Sequence, residues 1–265
     1  MIENNAETTA SVVLRADLAA VAPIVRPGSY FDPQRSGHGL VLYPAGDQWA
    51  ALWYTYFQDG TPTWLYLQAP APGPDGLWTA PIHRTAWNGV AQHMVPVGTA
   101  TITPTATDEF VLTYTLDGET GSEPMQSLGR GCPMVSGAPL DASSNWFDAR
   151  RAGTGYSVQL WPDYEMHLAF VYDAQGVPRF LIAEGPFGGA DRVLALEQLQ
   201  GFCPLCTRLA APTRRDIGTY QRGFGSGRLR VGIDGLYGAP VPGWWTADDD
   251  ALPLGGPGST QGCAP

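Results

Sequence analysis

The chain has 265 residues, of which 44% are hydrophobic and 11% aromatic, so a disordered protein is excluded. A net charge of −10 argues against nucleic-acid binding, because contacts with phosphates need a basic surface. Only 15% of the residues are charged, whereas glycine (33) and proline (24) are abundant. This composition is typical of short strands joined by turns, and it predicts an all-β fold.

Residues 1–27 are predicted to form an N-terminal tail. They carry acidic residues where a signal peptide has basic ones, and Arg15 and Asp17 interrupt the apolar run. The segment therefore does not read as a signal peptide. No stretch of the sequence reaches the ~18 to 20 apolar residues of a membrane-spanning helix. All basic residues are arginines, which indicates a GC-rich bacterial genome.

The first strands of the chain are repeated in its second half. "YFDPQRSGHG" begins at Tyr30 and "WFDARRAGTG" at Trp146, an offset of 116 residues (146 − 30), and residues 28–70 align with residues 144–186 without a gap. Such self-similarity indicates an internal duplication. It predicts a first β module over residues 28–133, a linker over 134–143 and a divergent second β module over 144–265.

Each module contains the sequence signals of a meander of antiparallel strands. In the first, "GLVLYP", "QWAALWYTYF" and "PTWLYLQ" are rich in aromatic and branched residues, with the turn "QDGT" between the last two. The second module has "YSVQLW", "EMHLAFVY" and "PRFLIA" at the matching places. Two antiparallel β-barrels or β-sandwiches in tandem are expected.

The repeated decapeptide itself is typical of a corner. Asp32 before Pro33 favours a turn, and Arg35 is placed to pair with Asp32 across it. Gly37 and Gly39 would lie on one face of the next strand and allow a bulky ring or a backbone to come close. Because both modules need such a corner, a packing role is favoured over a functional one.

The pattern G-x-[WY]-[FY]-[DN]-P-x-x-S-G-x-G, followed by "WYTY" and "DGTPTW", resembles a repeat module of exported proteobacterial proteins. The resemblance covers most of the first module and the first third of the second. It implies an exported protein but no particular chemistry. The second module departs from the pattern, since Ala149, Ala152 and Thr154 replace the proline, serine and histidine of the first copy.

Aromatic residues of the first module form the leading candidate for a binding site. They are Tyr30, Trp53, Tyr54 and Trp64, and flat rings of this kind stack on sugars or on apolar peptide side chains. Trp53 and Trp64 become Ala169 and Phe180 in the second module, which favours exposed or ligand-facing rings. Aromatic strand faces nevertheless serve as core more often than as ligand platforms, and that role is the competing interpretation.

The cysteines predict the compartment. Cys132, Cys203, Cys206 and Cys263 are even in number, and full pairing would place the protein in the bacterial periplasm or outside the cell. "CPLC" lies in a loop inserted into the second module and has no second C-x-x-C. A structural disulfide is therefore expected there rather than a zinc site.

A run of arginines near the insertion is the main charge anomaly. Six arginines fall between positions 208 and 230, opposed locally only by Asp216; they are Arg208, Arg214, Arg215, Arg222, Arg228 and Arg230. The two interpretations are a solvated face and a docking patch for an acidic protein or a polyanionic glycan. Arg214 and Arg215 are the residues predicted to bind in the second case.

The sequence contains no P-loop, no H-E-x-x-H and no G-x-S-x-G. We therefore expect a non-enzymatic extracytoplasmic protein that binds a glycan or a protein partner, with no cofactor and no metal. The alternative is a hydrolase acting on cell-envelope polymers, with Asp163, Glu165 and His167 converging in a cleft.

Overall fold

A computed structural model describes residues 23–207, 212–237 and 243–264 of the chain. These residues form two closed antiparallel barrels of eight strands each, one after the other. The predicted all-β fold and its duplication are confirmed, and the modules are barrels rather than sandwiches. Among the described residues, no helix is long and apolar enough to cross a membrane.

The first barrel, barrel 1, consists of β1 (Gly28–Phe31), β2 (Gly39–Ala45), β3 (Gln48–Tyr56), β4 (Pro62–Pro70), β5 (Trp78–Trp87), β6 (Gln92–Ala106), β7 (Glu109–Leu116) and β8 (Glu119–Ser127). A short hairpin of β9 (Met134–Val135) and β10 (Ala138–Pro139) follows. Barrel 2 consists of β11 (Ser144–Phe147), β12 (Gly155–Leu160), β13 (Tyr164–Tyr172), β14 (Pro178–Pro186), β15 (Asp191–Gln200), β16 (Thr213–Gly225), β17 (Arg228–Tyr237) and β18 (Gly243–Pro253).

Both faces of β2–β4 and of β12–β14 are buried. Along β2, Leu40 and Leu42 point into barrel 1, whereas Val41 and Tyr43 point outward into a third core that lies between the barrels. Successive side chains of a strand alternate between its faces, so a strand with two buried faces is apolar throughout. The joint between the barrels is therefore a continuous core.

The two barrels are related across this joint by a pseudo-twofold arrangement. Tyr43 donates a hydrogen bond to Gln159, the residue 116 positions later, over 3.2 Å. The duplicated turns also exchange roles: Trp87 donates its amide to the carbonyl of Gly176 (2.9 Å), and Gly201 donates to the carbonyl of Gly60 (3.0 Å). Contacts between equivalent positions are what a twofold interface requires.

The repeated decapeptide forms a corner, but not through the expected ion pair. Asp32 caps a 3₁₀ turn (Pro33–Arg35, η1) by accepting from the amide of Gln34 at 2.8 Å. Arg35 turns away to Glu123, 3.8 Å distant on β8, so the predicted pairing of Arg35 with Asp32 is wrong. The predicted close approach is confirmed at Gly39, where a Cβ would meet the ring of Tyr54.

The described part of the loop after β15, residues 201–207, crosses from barrel 2 to the end of barrel 1. Arg35 donates to the carbonyls of Cys203 (3.1 Å) and Pro204 (2.7 Å), and Leu205 packs against the barrel 1 core. Cys203 and Cys206 form the expected disulfide within this loop. A second disulfide joins Cys132 to Cys263 and ties together the segments that follow the two barrels.

Candidate functional site

An open groove of about 430 Å³ lies between the barrels, and we call it the inter-barrel groove. Barrel 1 contributes Trp64 and Tyr66 of β4 together with Gln92 and Met94 of β6. Barrel 2 contributes Phe147 and, from the second copy of the decapeptide, Asp148, Ala149 and residues 151–155. Its volume lies within the range of small-molecule pockets, and its lining is mainly apolar.

Polar groups in the groove are few and held in place. Tyr66 donates its hydroxyl to the amide oxygen of Gln68, and Gln68 donates to Gln48 at 2.5 Å. At the other end, Arg151 is fixed by Asp249 at 3.2 Å. A ligand would meet an apolar surface between an amide that is already oriented and a guanidinium.

Along this side of the groove β6 carries uncharged residues where β16 carries charged ones. Gly98 and Gly218 are equivalent, since each begins the pairing with the following strand, an offset of 120 (218 − 98). Met94 therefore corresponds to Arg214. Met94 is 50% exposed and lines the groove, whereas Arg214 forms an ion pair with Glu184 on the matching side of barrel 2.

The aromatic residues that the sequence proposed as an exposed platform are all buried. Tyr30 and Trp53 are 0% exposed inside barrel 1, where the ring of Trp53 packs edge-on against Tyr114 at 4.7 Å. Tyr54 and Trp64 belong to the core between the barrels. The predicted platform is therefore wrong; of the four residues, only Trp64 reaches the inter-barrel groove.

The arginine run does not form one patch. Arg222 is buried inside barrel 2, and Arg214, Arg228 and Arg230 pair with acidic residues of other strands, namely Glu184 and Glu197, Asp250 and Asp191. Arg215 is exposed on β16. Arg208 lies outside the described residues. The described arginines therefore do not form a single cationic patch, because acids distant in sequence pair with three of them and Arg222 is buried. Binding through Arg214 and Arg215 stays a prediction.

The proposed catalytic residues do not share a cleft. Asp163 lies in an exposed turn, whereas Glu165 and His167 are 0% exposed and hydrogen-bonded at 2.8 Å inside barrel 2. Arg222 binds both oxygens of Glu165, each at 2.7 Å. Burial acts to raise the pKa of Glu165, but the hydrogen bonds from His167 and Arg222 outweigh it and hold the pKa below its usual value. Burial lowers the pKa of His167.

Barrel 1 contains a second buried polar cluster, which the sequence did not indicate. The ring of His38 lies 3.4 Å from the carboxylate of Glu123, and Tyr114 donates to the same carboxylate at 3.1 Å. Burial, aided by Arg35, lowers the pKa of His38 to about 3. Burial raises the pKa of Glu123 to about 7, although Arg35 and Tyr114 oppose the shift.

Comparison with known proteins adds no assignment. No protein-family model matches the chain, no curated protein matches it significantly, and no solved structure does. The inter-barrel groove must therefore be interpreted from its own residues.

Sequence reasoning missed Tyr66, Gln92 and Met94 as residues of one groove. Tyr66 is part of an aromatic strand, but nothing local relates it to β6 or to the decapeptide of the other module. That Met94 and Arg214 are equivalent follows only from the strand register. The offset between equivalent residues of the two modules is 116 in the first strands but 120 in β6 and β16, so the sequence repeat alone does not align them.

Proposed function

We propose that this protein is a non-enzymatic binding protein whose recognition site is the inter-barrel groove, with a glycan or a protein as its partner. The main support for the proposal is the groove itself, which is concave and mainly apolar, has a volume of about 430 Å³ and is lined by residues of both barrels. Aromatic and thioether side chains with a few fixed polar groups are typical of recognition sites.

The resemblance to exported proteobacterial repeat modules supports a role in the periplasm or outside the cell. Two disulfides that account for all four cysteines are compatible with it, because such bonds persist in oxidising compartments. The hydrolase alternative receives no support from the geometry. Its acid and base are buried and are held by Arg222.

The proposal is tested by replacing Met94 of β6 with arginine, the residue at the equivalent position of barrel 2. Met94→Arg should fill the groove and abolish binding, because the equivalent Arg214 occupies that place in barrel 2. Val193→Arg is the matched control, since Val193 is similarly exposed (57%) on β15, away from the groove lining.

Wild-type protein and both variants would be screened against an array of soluble oligosaccharides and a displayed library of short peptides. We expect ligands that bind wild type and Val193→Arg but not Met94→Arg. Ligands that bind Met94→Arg as well as wild type would place recognition elsewhere. An absence of ligands from both libraries would contradict a binding function.

A further inference from the structure

We propose that the partner of the inter-barrel groove is an extended polypeptide segment, which adds to β6 as an extra strand. This inference rests on the proposed binding function and names the class of its ligand. It comes from the backbone of β6, and not from the side chains of the groove alone.

The first residues of β6 extend beyond the barrel. The pairing of β6 with β5 runs down to Trp87↔Gln92, but its pairing with β7 begins only at Gly98↔Leu116. We call residues 92–96 of β6 the free edge. In the part of the chain that the structure describes, no strand pairs with the free edge on the side away from β5.

The direction of the free backbone groups follows from the antiparallel pattern. In an antiparallel pair of strands, the backbone N–H and C=O groups of two opposite residues either bond to each other or all point away from the partner strand. Trp87 sends its amide out to Gly176, so its partner Gln92 also directs its amide and carbonyl outward. Two residues later the same holds for Met94, opposite Thr85. Four backbone groups thus face an open side, spaced as a strand requires.

The side chains of the same two residues line the groove. Gln92 and Met94 line the inter-barrel groove together with Phe147 and the corner of barrel 2, and Gln92 lies against Gly153 of that corner. In a strand added beside β6, every second side chain would lie on this face. Main-chain hydrogen bonds would supply affinity, and the groove would select alternate side chains, as in other strand-addition sites.

The free edge also lacks the charged side chains that barrel 2 places on the equivalent strand. Its residues read "QHMVP", with Met94 and Val95 at least half exposed and no Asp, Glu, Lys or Arg. The equivalent positions of β16 read "PTRRD", where Arg214, Arg215 and Asp216 place charges on the edge. Charged residues normally keep open edges from pairing with other chains. In barrel 1 this edge is uncharged and lies beside an apolar groove.

The main-chain contribution is isolated by comparing Met94→Pro with Met94→Ala. Both variants lose the thioether, but only proline removes the outward amide, and that amide takes no part in the pairing with β5. The probes are the short library peptides whose binding Met94→Arg abolishes. We expect Met94→Ala to weaken their binding a few-fold and Met94→Pro to weaken it a further fivefold or more, measured by calorimetry.

Peptides with N-methyl groups provide a second readout that needs no variant. Methylation at alternate positions in one register should abolish binding to wild type, whereas methylation in the other register should leave it intact. Equal binding to Met94→Ala and Met94→Pro, together with tolerance of both methylated sets, would overturn strand addition.

The remaining outcomes separate this inference from the proposed function. Oligosaccharides that bind in a Met94→Arg-sensitive manner, without any peptide that does so, would refute the peptide class and leave the groove as a binding site. A wild-type dimer in sedimentation that Met94→Pro dissociates would identify a second copy of the chain as the occupant, and would also overturn the inference.

Discussion

The two barrels share one topology but fill their interiors in different ways. At one end, barrel 2 encloses the ionic cluster of Glu165, His167 and Arg222, where barrel 1 has Trp49, Ala51 and Ile102 at the equivalent positions. At the other end the relation is reversed. Barrel 1 buries His38 against Glu123, where barrel 2 has Thr154 and Asp249.

This exchange teaches that the strand pairing of the fold tolerates either an apolar or an ionic layer in its interior. A packed core requires filled volume and satisfied polar groups, and a complete ionic network meets both conditions as well as an apolar layer does. Several of the duplicated residues that do not change lie at corners and turns. Gly60 and Gly176, for instance, both have φ near +80° (82° and 75°) and both lie against the backbone of the other barrel.

The largest expected effect concerns the apolar interior of barrel 1. Trp53→Ala introduces the residue that barrel 2 has at the equivalent position, Ala169, but leaves a cavity because the neighbours of Trp53 are shaped around an indole. We expect a loss of about 3 to 5 kcal/mol in the free energy of unfolding, measured by urea denaturation. Tyr164→Ala, at an exposed ring of barrel 2, is the control and should change little. An unchanged urea midpoint for Trp53→Ala would contradict a core position.

The next effect concerns the ionic interior of barrel 2. Glu165→Gln keeps the shape of the side chain but leaves Arg222 as a buried charge without its counter-ion, and we expect a loss of about 3 kcal/mol. Asp250→Asn breaks the exposed pair with Arg228 and should have almost no effect. Combining Glu165→Gln with Arg222→Met should recover part of the loss. A loss as small as that of Asp250→Asn would show that the cluster is not desolvated.

The smallest effect is a pH dependence specific to barrel 1. The folded state raises the pKa of Glu123 from 4.5 to about 7, so its stabilisation is present below pH 4.5 and is lost as the pH rises through 7. It lowers the pKa of His38 from 6.5 to about 3, so that stabilisation is present above pH 6.5 and is lost as the pH falls. Between pH 4.5 and 6.5 the contribution of Glu123 to the free energy of unfolding falls with rising pH while that of His38 rises, so the two oppose each other in the wild type.

In Glu123→Gln, His38 should therefore be the member of this pair whose protonation changes the free energy of unfolding with pH. We expect its stability to fall as the pH drops below 6.5, by up to about 1.4 kcal/mol per pH unit relative to wild type. His38→Gln should show the opposite slope, falling as the pH rises from 4.5 to 7. Urea midpoints at several pH values measure both slopes. Parallel profiles for wild type and the two variants would exclude a proton-coupled pair.

Much of the fold could be predicted from local sequence. The repeated decapeptide, the turns "QDGT" and "DAQG" and the aromatic strands beside them indicated duplicated antiparallel modules, because turn chemistry and strand patterning are properties of neighbouring residues. The site could not be predicted in the same way. Trp53 and Trp64 were expected on an exposed face, yet one lies inside barrel 1 and the other in the core between the barrels.

The sequence by itself determined the all-β class, the duplication, the turn between β3 and β4 and the capacity for two disulfides, since each depends on spacing along the chain. Only the tertiary structure decided which face of each strand is buried, because β2–β4 pack on both sides and period-two alternation then loses its meaning. It also decided that Arg214, Arg222, Arg228 and Arg230 meet acids from other strands, and that Met94 lies at an open edge. These outcomes depend on contacts between residues far apart in sequence, which no local pattern encodes.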